Sequence, residues 1–252
     1  MVRGFQKFRE WFEGYEKEYT IIGGVACDLL MEDAGQTFRA TKDLDMVLMV
    51  EAITSEFVSR FWEYIREAGY EHRNKSTGDV QFYRFSKPKD NSWLYMIELF
   101  SRKPDEVFLS GEAVLTPIPI EEEISSLSAI LLNDVYYEFL KSGRVLIDGT
   151  PVLEVKHLIP FKAKAFLDNI RRKNEGEHVD SRDIRKHKND VFRLLLMLTD
   201  NESRMDLPDE IREDISKFIE MMADEEVDVK ALGGGRLGKD DLLRRIHSVY
   251  GA

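Results

Sequence analysis

Two aspartates, Asp43 and Asp45, stand at the start of an otherwise apolar run that extends to Val50. The run predicts a buried strand, and residues i and i+2 of a strand point to the same face. Two carboxylates held this close repel each other unless a cation lies between them. Mg²⁺, which a few carboxylates bind together with substrate phosphates, suits such a pair. The alternative is a solvated strand end with salt bridges to Lys42 and Arg39.

A pair of glycines, Gly23 and Gly24, follows the β-prone run Tyr19–Ile22 and precedes a segment whose apolar residues have helical spacing. Between a strand and a helix, glycines let a bulky anion approach the backbone, and the free N–H groups and the helix dipole favour negative charge. The pattern predicts a phosphate-binding turn. An ordinary tight turn is the alternative.

A third carboxylate, Glu98, is the single acid in the apolar run Trp93–Phe100. A charge in the middle of a strand is costly to bury unless it is paired or bound to a metal. If this strand lies beside the strand of Asp43 and Asp45, Glu98 completes a cluster of three carboxylates, as a metal ligand or as a base. The alternative is an edge-strand glutamate that faces water.

The elements that must position these residues alternate between helix and strand in the first half of the chain. The predicted helices are Phe5 to Glu16, Val25 to Glu32 and Thr54 to Ala68, and the predicted strands are Tyr19 to Ile22, Leu44 to Val50, Gln81 to Ser86 and Trp93 to Phe100. A mixed stretch from Ile124 contains a hairpin with the turn Asp148-Gly149-Thr150, and the pattern is helical from Val155. We expect an α+β fold, with a mixed β-sheet and flanking helices over residues 1–155 and a C-terminal helical domain over residues 156–252 that closes one side of the cleft.

Positive charge is concentrated in the helical half of an acidic chain. Between Lys156 and Arg193, eleven Lys or Arg residues accompany six Asp or Glu residues, although the formal net charge of the whole chain is −11. A triphosphate or a nucleic-acid backbone would need positive charge in this way. Asp183, Lys186, Asp190 and Arg193 also follow helical spacing, which is equally typical of a surface ion-pair ladder.

Gly23-Gly24, Asp43-x-Asp45 and the later strand acid Glu98 resemble the signature of the polymerase-β-type nucleotidyltransferase superfamily. That signature is a Gly-Gly or Gly-Ser turn, an acid-x-acid strand and a third strand acid. The segment from Arg39 to Asp45, Arg-Ala-Thr-Lys-Asp-Leu-Asp, is most similar to the AbiEii type, which includes the MenT-like toxins of bacterial toxin–antitoxin pairs.

The resemblance extends into the helical half, where the family has a lysine on one helix and an aspartate on the next that face the nucleotide. Lys162 is the first match to that lysine and Lys164 the second, whereas Asp190 and then Asp183 match the aspartate. This chain departs from the commoner pattern by an insertion between the two helices, Asn174 to Asp180.

The resemblance implies a role for each matched residue. Two Mg²⁺ ions would be held by Asp43, Asp45 and Glu98, which are also the expected catalytic residues. The NTP would be bound by Gly23, Gly24, Arg39, Thr41, Lys162, Lys164, Asp183 and Asp190. The expected reaction moves NMP from an NTP to a hydroxyl acceptor. The resemblance implies RNA, including tRNA ends, as that acceptor, a toxin-like role in a toxin–antitoxin or phage-defence pair, and an antitoxin protein as a partner.

Two other functions remain open from the sequence. A small-molecule nucleotidyltransferase of the aminoglycoside type would share the core site but would need an acidic acceptor pocket, for which the segment Glu202 to Asp241 is acidic enough. A nucleotidyltransferase fold without activity would serve as a binding module. Mg²⁺-dependent binding of NTP distinguishes this last function from the other two.

A near-match to the phosphate loop G-x-x-x-x-G-K-[ST] lies at Gly233 to Asp240. Its last residue is Asp240 rather than Ser or Thr, and no predicted strand precedes it. We therefore expect a linker before a short terminal helix that runs from Asp240 to Tyr250.

Composition favours a cytoplasmic protein. With 252 residues, 43% of them hydrophobic and 33% charged, the chain can bury one large core or two modest ones. Its single cysteine, Cys27, excludes an internal disulfide and is typical of a reducing compartment. The first residues contain no signal-peptide apolar region, and no run is long enough to span a membrane.

Overall fold

The structure, a computed structural model, describes residues 2–71, 84–101, 133–199 and 201–251. It is a mixed α/β protein that divides into two compact units. The sheet unit comprises Met1–Leu132 and Arg144–Leu153, and the helical unit comprises Asn133–Gly143 and Glu154–Ala252. The sequence assigned residues 133–143 to the catalytic core, whereas the structure groups them with the helices.

The elements of the sheet unit are α1 (Phe5–Trp11), β1 (Tyr19–Ile22), α2 (Gly23–Asp33), β2 (Asp43–Leu48), α3 (Ser55–Ala68), β3 (Arg84–Ser86), β4 (Met96–Phe100), β5 (Arg144–Ile147) and β6 (Thr150–Leu153). Those of the helical unit are α4 (Asp134–Ser142), α5 (Val155–Asn174), α6 (Ser181–Met197), α7 (Asp209–Ala223) and α8 (Lys239–Tyr250). Two predicted segments lie partly outside the described residues, namely the start of the strand from Gln81 and the start of the stretch from Ile124.

The strands form one mixed sheet in the order β3-β4-β2-β1-β6-β5. The central strand β1 pairs antiparallel with β2 and parallel with β6, and β2 pairs parallel with β4. Each edge strand, β3 and β5, pairs antiparallel with its neighbour. The prediction of a mixed sheet with flanking helices is therefore confirmed at the level of architecture.

The hairpin between β5 and β6 turns at Asp148 and Gly149, within the predicted turn Asp148-Gly149-Thr150, whereas Thr150 is already the first residue of β6. Asp148 has φ of 48° and Gly149 has φ of 76°, and this pair of positive angles is typical of a type I′ turn. Because the turn has only two residues, Ile147 pairs with Thr150, and Arg144 and Leu153 lie opposite each other at the far end of the hairpin.

Helix α1 and strand β4 are shorter than predicted, and β2 ends at Leu48 rather than Val50. Helix α1 ends at Trp11 rather than Glu16 because the chain turns at Gly14, where φ is 88°. Strand β4 begins at Met96 rather than Trp93. Before it, the Leu94 carbonyl accepts a hydrogen bond of 2.6 Å from the Tyr70 hydroxyl, so a side chain takes the place of a neighbouring strand.

An aromatic core fills the sheet unit between α1, α3 and the sheet. Phe8 of α1 packs edge-on against Tyr64 of α3, with ring centroids 5.8 Å apart, and Tyr64 lies 5.0 Å from Trp93. All three side chains are buried. Large rings of this kind contribute the greatest apolar area per residue to a core, and here they fix the segment that leads into β4.

The helical unit contains a proline, Pro160, inside α5. A proline donates no N–H, so it leaves the carbonyl four residues earlier, that of Lys156, without its usual helical partner. The hydroxyl of Tyr250, in α8, donates to this carbonyl at 2.8 Å. Burial of Tyr250 raises the pKa of its hydroxyl well above the usual value, so the hydroxyl keeps its proton as a donor.

The near-match to a phosphate loop has a structural use. Its lysine, Lys239, begins α8, and its ammonium donates to the carbonyls of Met222, Ala223 and Glu225 at 2.8, 2.9 and 3.0 Å. Cations are favoured at the C-terminal end of a helix, where carbonyls lack partners. Lys239 thus caps the C-terminal end of α7. None of the helices in the described part of the chain is long and apolar enough to cross a membrane.

Candidate active site

The register between β2 and β4 brings the three predicted acids to one side of the sheet. These strands are parallel, and Asp45 is the register partner of Glu98, whereas Asp43 is that of Met96. Register partners point to the same face, as do residues two apart on one strand. Asp43, Asp45 and Glu98 therefore share a face. The strand of Glu98 thus lies beside that of the two aspartates, which is the condition under which the sequence placed Glu98 in the cluster.

The two glycines lie directly against the start of the acid-bearing strand. Gly23 follows β1 and begins α2 with φ of 70°, and a Cβ atom built on it would lie 1.7 Å from Oδ2 of Asp45. A Cβ atom on Gly24 would lie 2.4 Å from Oγ1 of Thr41. A side chain at either position would require Asp45 or Thr41 to move, and Gly23 also has a positive φ that favours glycine. The two halves of the sequence motif thus form one site.

The first turn of α2 can receive an anion at this site. The N-cap residue, Ile22, makes no side-chain cap hydrogen bond, and the first turn of the helix contains no acid. The first N–H groups of a helix have no intrahelical acceptor, and the helix dipole places partial positive charge there. Phosphate binds readily to such a terminus when glycines allow close approach.

Replacing Gly23 with alanine measures how closely Asp45 approaches the turn. Gly35 is a matched control, because its φ is 69° and a Cβ atom placed there would meet no atom within 4 Å, so only backbone strain of roughly 1–2 kcal/mol applies. Gly23→Ala adds a clash with Asp45, and we expect it to lower the free energy of unfolding by about 1–3 kcal/mol more than Gly35→Ala does. Urea denaturation of both variants checks this, and equal losses would contradict the contact.

Glu98 is bound by an arginine that sequence reasoning missed. Arg84 donates from Nε and Nη2 to Oε1 of Glu98 at 2.7 and 2.6 Å, from the antiparallel neighbour β3. Only the pairing register of β3 with β4 reveals this contact, since the two residues lie far apart in the chain. This ion pair explains how an acidic side chain is tolerated in the middle of an apolar strand.

The side chains that would hold a metal are Asp43 and Asp45. In the described part of the chain, no three or more His, Cys, Asp or Glu side chains lie close enough together to bind a metal ion by themselves. Mg²⁺ commonly takes only one or two carboxylates from a protein, and the remaining ligands are water and substrate phosphates. Two aspartates next to a glycine turn at the start of a helix fit this pattern. A role for Glu98 as third ligand or base stays a prediction.

The remaining predicted residues of the sheet unit flank this site. Thr41 lies against Gly24, as described above. The Arg39 guanidinium stacks 4.8 Å from the ring centre of Phe38, and Nη1 lies 3.4 Å from the Ala40 carbonyl oxygen. Arg39 is half-buried, so part of its side chain reaches solvent. Its contact with NTP stays a prediction.

In the helical unit, the structure pairs Lys162 with Asp190, which were the first of the two candidates for the lysine and for the aspartate. Nζ of Lys162 lies 3.2 Å from Oδ2 of Asp190, and their side chains are 1% and 0% exposed. Arg193 contacts the other oxygen, Oδ1, at 3.3 Å. The second candidates are not paired with each other. Lys164 lies 3.1 Å from Asp214, and Asp183 is exposed in the first turn of α6. Binding of nucleotide by the buried pair stays a prediction.

Many basic residues of the helical half are neutralised by acids nearby. The nitrogen-to-oxygen distances are 3.4 Å for Lys156 and Glu202, 3.0 Å for Arg171 and Glu175, 2.6 Å for Arg172 and Glu177, and 2.5 Å for Lys188 and Glu225. Of these four pairs, that of Arg171 and Glu175 has both side chains exposed, and an exposed pair contributes little stability. The four pairs also reduce the positive charge that a phosphate backbone would meet on this surface.

No protein-family model matches the chain, and no curated protein matches its sequence at a significant level. The resemblance to nucleotidyltransferases therefore stays a prediction, which rests on individual residues and their positions. Chief among them are Gly23, at the start of α2, and Asp45, whose carboxylate occupies the space beside it.

Proposed function

We propose that this protein is a Mg²⁺-dependent nucleotidyltransferase that moves NMP from an NTP to a hydroxyl acceptor. One observation carries the proposal: the glycine turn that opens α2 is packed against the carboxylate of Asp45, with Asp43 on the same face. A phosphate-binding turn and a pair of carboxylates are the two parts that transfer from an NTP requires. The fold and the charges elsewhere in the chain agree with this function but do not single it out.

The residues of the site would divide the work in a simple way. Bound Mg²⁺ would neutralise the charge that develops on the phosphates. Asp43 and Asp45 would hold it, and the N–H groups at Gly24 and beyond would donate hydrogen bonds to the phosphate oxygens. The acceptor oxygen forms a bond to the α-phosphorus, the bond to the β-phosphate oxygen breaks, and pyrophosphate leaves. The proton of the acceptor hydroxyl passes to a carboxylate of the site.

RNA is the acceptor that the resemblance supports, with tRNA ends as the narrower expectation. The local excess of positive charge in the helical half agrees with a phosphate-rich acceptor. The ion pairs of that region predict a moderate affinity, because each cation that already has an acidic partner displaces fewer counterions from RNA. A toxin-like role with an antitoxin partner rests on the resemblance alone.

A small-molecule acceptor is the second candidate, and helix α7 favours it. This helix, Asp209–Ala223, contains five acids and two bases. A cationic acceptor such as an aminoglycoside would be bound through carboxylates, as the aminoglycoside type requires. The inactive binding module is the third outcome that an experiment must separate.

Incubation of the full chain with labelled NTP and Mg²⁺ distinguishes the three. Total tRNA or an aminoglycoside panel serves as the acceptor, over a salt series from about 50 to 200 mM. We expect label on RNA, with a yield that falls as salt rises, since RNA binding releases counterions. EDTA should abolish the transfer.

Each other outcome assigns the protein to a different class. Label on an aminoglycoside and none on RNA would replace the leading proposal by the second candidate. Absence of label on either acceptor, in a chain that is folded and binds NTP without Mg²⁺ dependence, would support the inactive module.

A further inference from the structure

Three polar side chains of the helical unit form a chain of contacts that the proposed function does not use. Ser142 is the last residue of α4, and its Oγ lies 3.0 Å from Nε2 of His157 in α5. Nδ1 of the same histidine lies 2.6 Å from Oε1 of Glu154, the residue before α5. The serine is exposed, the glutamate is half-buried, and the histidine between them is 6% exposed.

The backbone holds the ends of this chain together. Ser142 and Glu154 are separated by the β5–β6 hairpin, and the Glu154 N–H donates to the Gly143 carbonyl at 2.9 Å. The imidazole ring lies between two surfaces. Its centroid is 4.4 Å from that of Phe139, and a Cβ atom on Gly143 would lie 2.1 Å from its Cγ. Gly143 therefore allows the ring to pack against the backbone next to the serine.

The protons of the three groups have a definite arrangement. Contact with His157 lowers the pKa of the Glu154 carboxyl, against the opposing effect of burial, so this group is a carboxylate at neutral pH. Nδ1 of the neutral imidazole faces this carboxylate at 2.6 Å, although the two groups are not aligned for a well-oriented hydrogen bond. A carboxylate beside Nδ1 keeps the proton on that nitrogen and leaves Nε2 as an acceptor.

Ser142 has two acceptors within reach of its hydroxyl proton. These are Nε2 of His157 at 3.0 Å and the Phe139 carbonyl at 2.8 Å. If the serine oxygen attacked an electrophile, its proton would pass to Nε2. The imidazolium then lies between the Glu154 carboxylate and the C-terminal end of α4, and both favour a positive charge.

We propose that Ser142 is the nucleophile of an acyl-transfer site in the helical unit, with His157 as its base and Glu154 as the positioning residue. An exposed nucleophile, a base within hydrogen-bond distance and a third group that orients the base are the signature of such a site. The substrate class is an ester or thioester. The Ser142 oxygen bonds to the acyl carbon, the alcohol or thiol leaves with the proton from Nε2, and water then releases the acid and regenerates the serine.

A fluorophosphonate probe tests this with the full chain. The serine oxygen bonds to phosphorus, fluoride leaves, and the labelled residue is located by peptide mass spectrometry. We expect label at Ser142, none there in Ser142→Ala, and a rate at least about 100-fold lower in His157→Gln, because a general base contributes that much. Ser216→Ala is the matched control. Ser216 also donates to a carbonyl of its own helix, that of Arg212 at 3.0 Å, and its loss should leave the labelling unchanged.

Two further variants test whether Glu154 acts by orienting His157 or only by stabilising the fold. Glu154→Gln should slow labelling, and Glu154→Asp should restore part of the rate, since a shorter carboxylate still attracts the Nδ1 proton. Thermal melting of each variant checks that the chain is folded. Label spread over several serines, or equal labelling of folded wild type and folded His157→Gln, would overturn the proposal.

Discussion

Replacement of Asp45 with asparagine should reduce NMP transfer about a thousandfold and leave the fold intact. The side chain keeps its size, so its packing against Gly23 is preserved. Its charge is lost, and a neutral amide is a poor ligand for Mg²⁺. A metal ion contributes several kcal/mol to the stabilisation of a phosphoryl-transfer transition state, and about 4 kcal/mol corresponds to roughly three powers of ten in rate.

Asp33→Asn is the matched control for this variant. It removes the same charge from the same unit, at an exposed position at the end of α2, and we expect unchanged transfer. Rates are measured with labelled NTP and the acceptor that the labelling experiment identifies, and circular dichroism confirms the fold. Asp43→Asn should behave like Asp45→Asn. Full activity in either aspartate variant would contradict the assignment of the metal site.

Replacement of Lys162 with alanine should destabilise the helical unit by about 3 kcal/mol. The lysine and Asp190 form a buried pair, and removal of one partner from such a pair typically costs roughly 3–5 kcal/mol. We expect the lower end of this range because Arg193 still contacts Asp190. Urea denaturation followed by circular dichroism measures the loss.

Lys164→Met is the matched control. Lys164 is 23% exposed, and its partner Asp214 also accepts a hydrogen bond of 2.9 Å from the Tyr136 hydroxyl, so the loss should be smaller. An equal loss from the two variants would contradict a special role for the buried pair.

A double variant separates stability from nucleotide binding at this position. Lys162→Met combined with Asp190→Leu replaces the buried pair by apolar groups of similar size, which often restores stability. If Lys162 also contacts an NTP phosphate, the double variant should bind NTP more weakly by about 1.5–3 kcal/mol. Unchanged affinity, measured by calorimetry with a non-hydrolysable NTP, would show that the pair is structural.

Several parts of the fold were predictable because their causes are local. The apolar run of β2, the Gly-Gly junction after β1 and the Asp148-Gly149 turn each depend on residues that are neighbours in the chain. Period and turn chemistry are properties of such short segments. The same local reasoning overestimated α1 and β4, because Gly14 and the Tyr70 hydroxyl end these elements through features that periodicity does not contain.

The sequence by itself determined which residues could form a phosphate turn and a carboxylate pair, since both motifs are short and contiguous. Only the tertiary structure decided which residues contact the other candidate side chains. Strand register placed Arg84 on Glu98, and helix packing paired Lys162 with Asp190 rather than Asp183. The β5–β6 hairpin reverses the chain direction, so that Ser142 lies beside His157. Such contacts join residues far apart in the chain, and their stability comes from burial and geometry that exist only once the elements have packed.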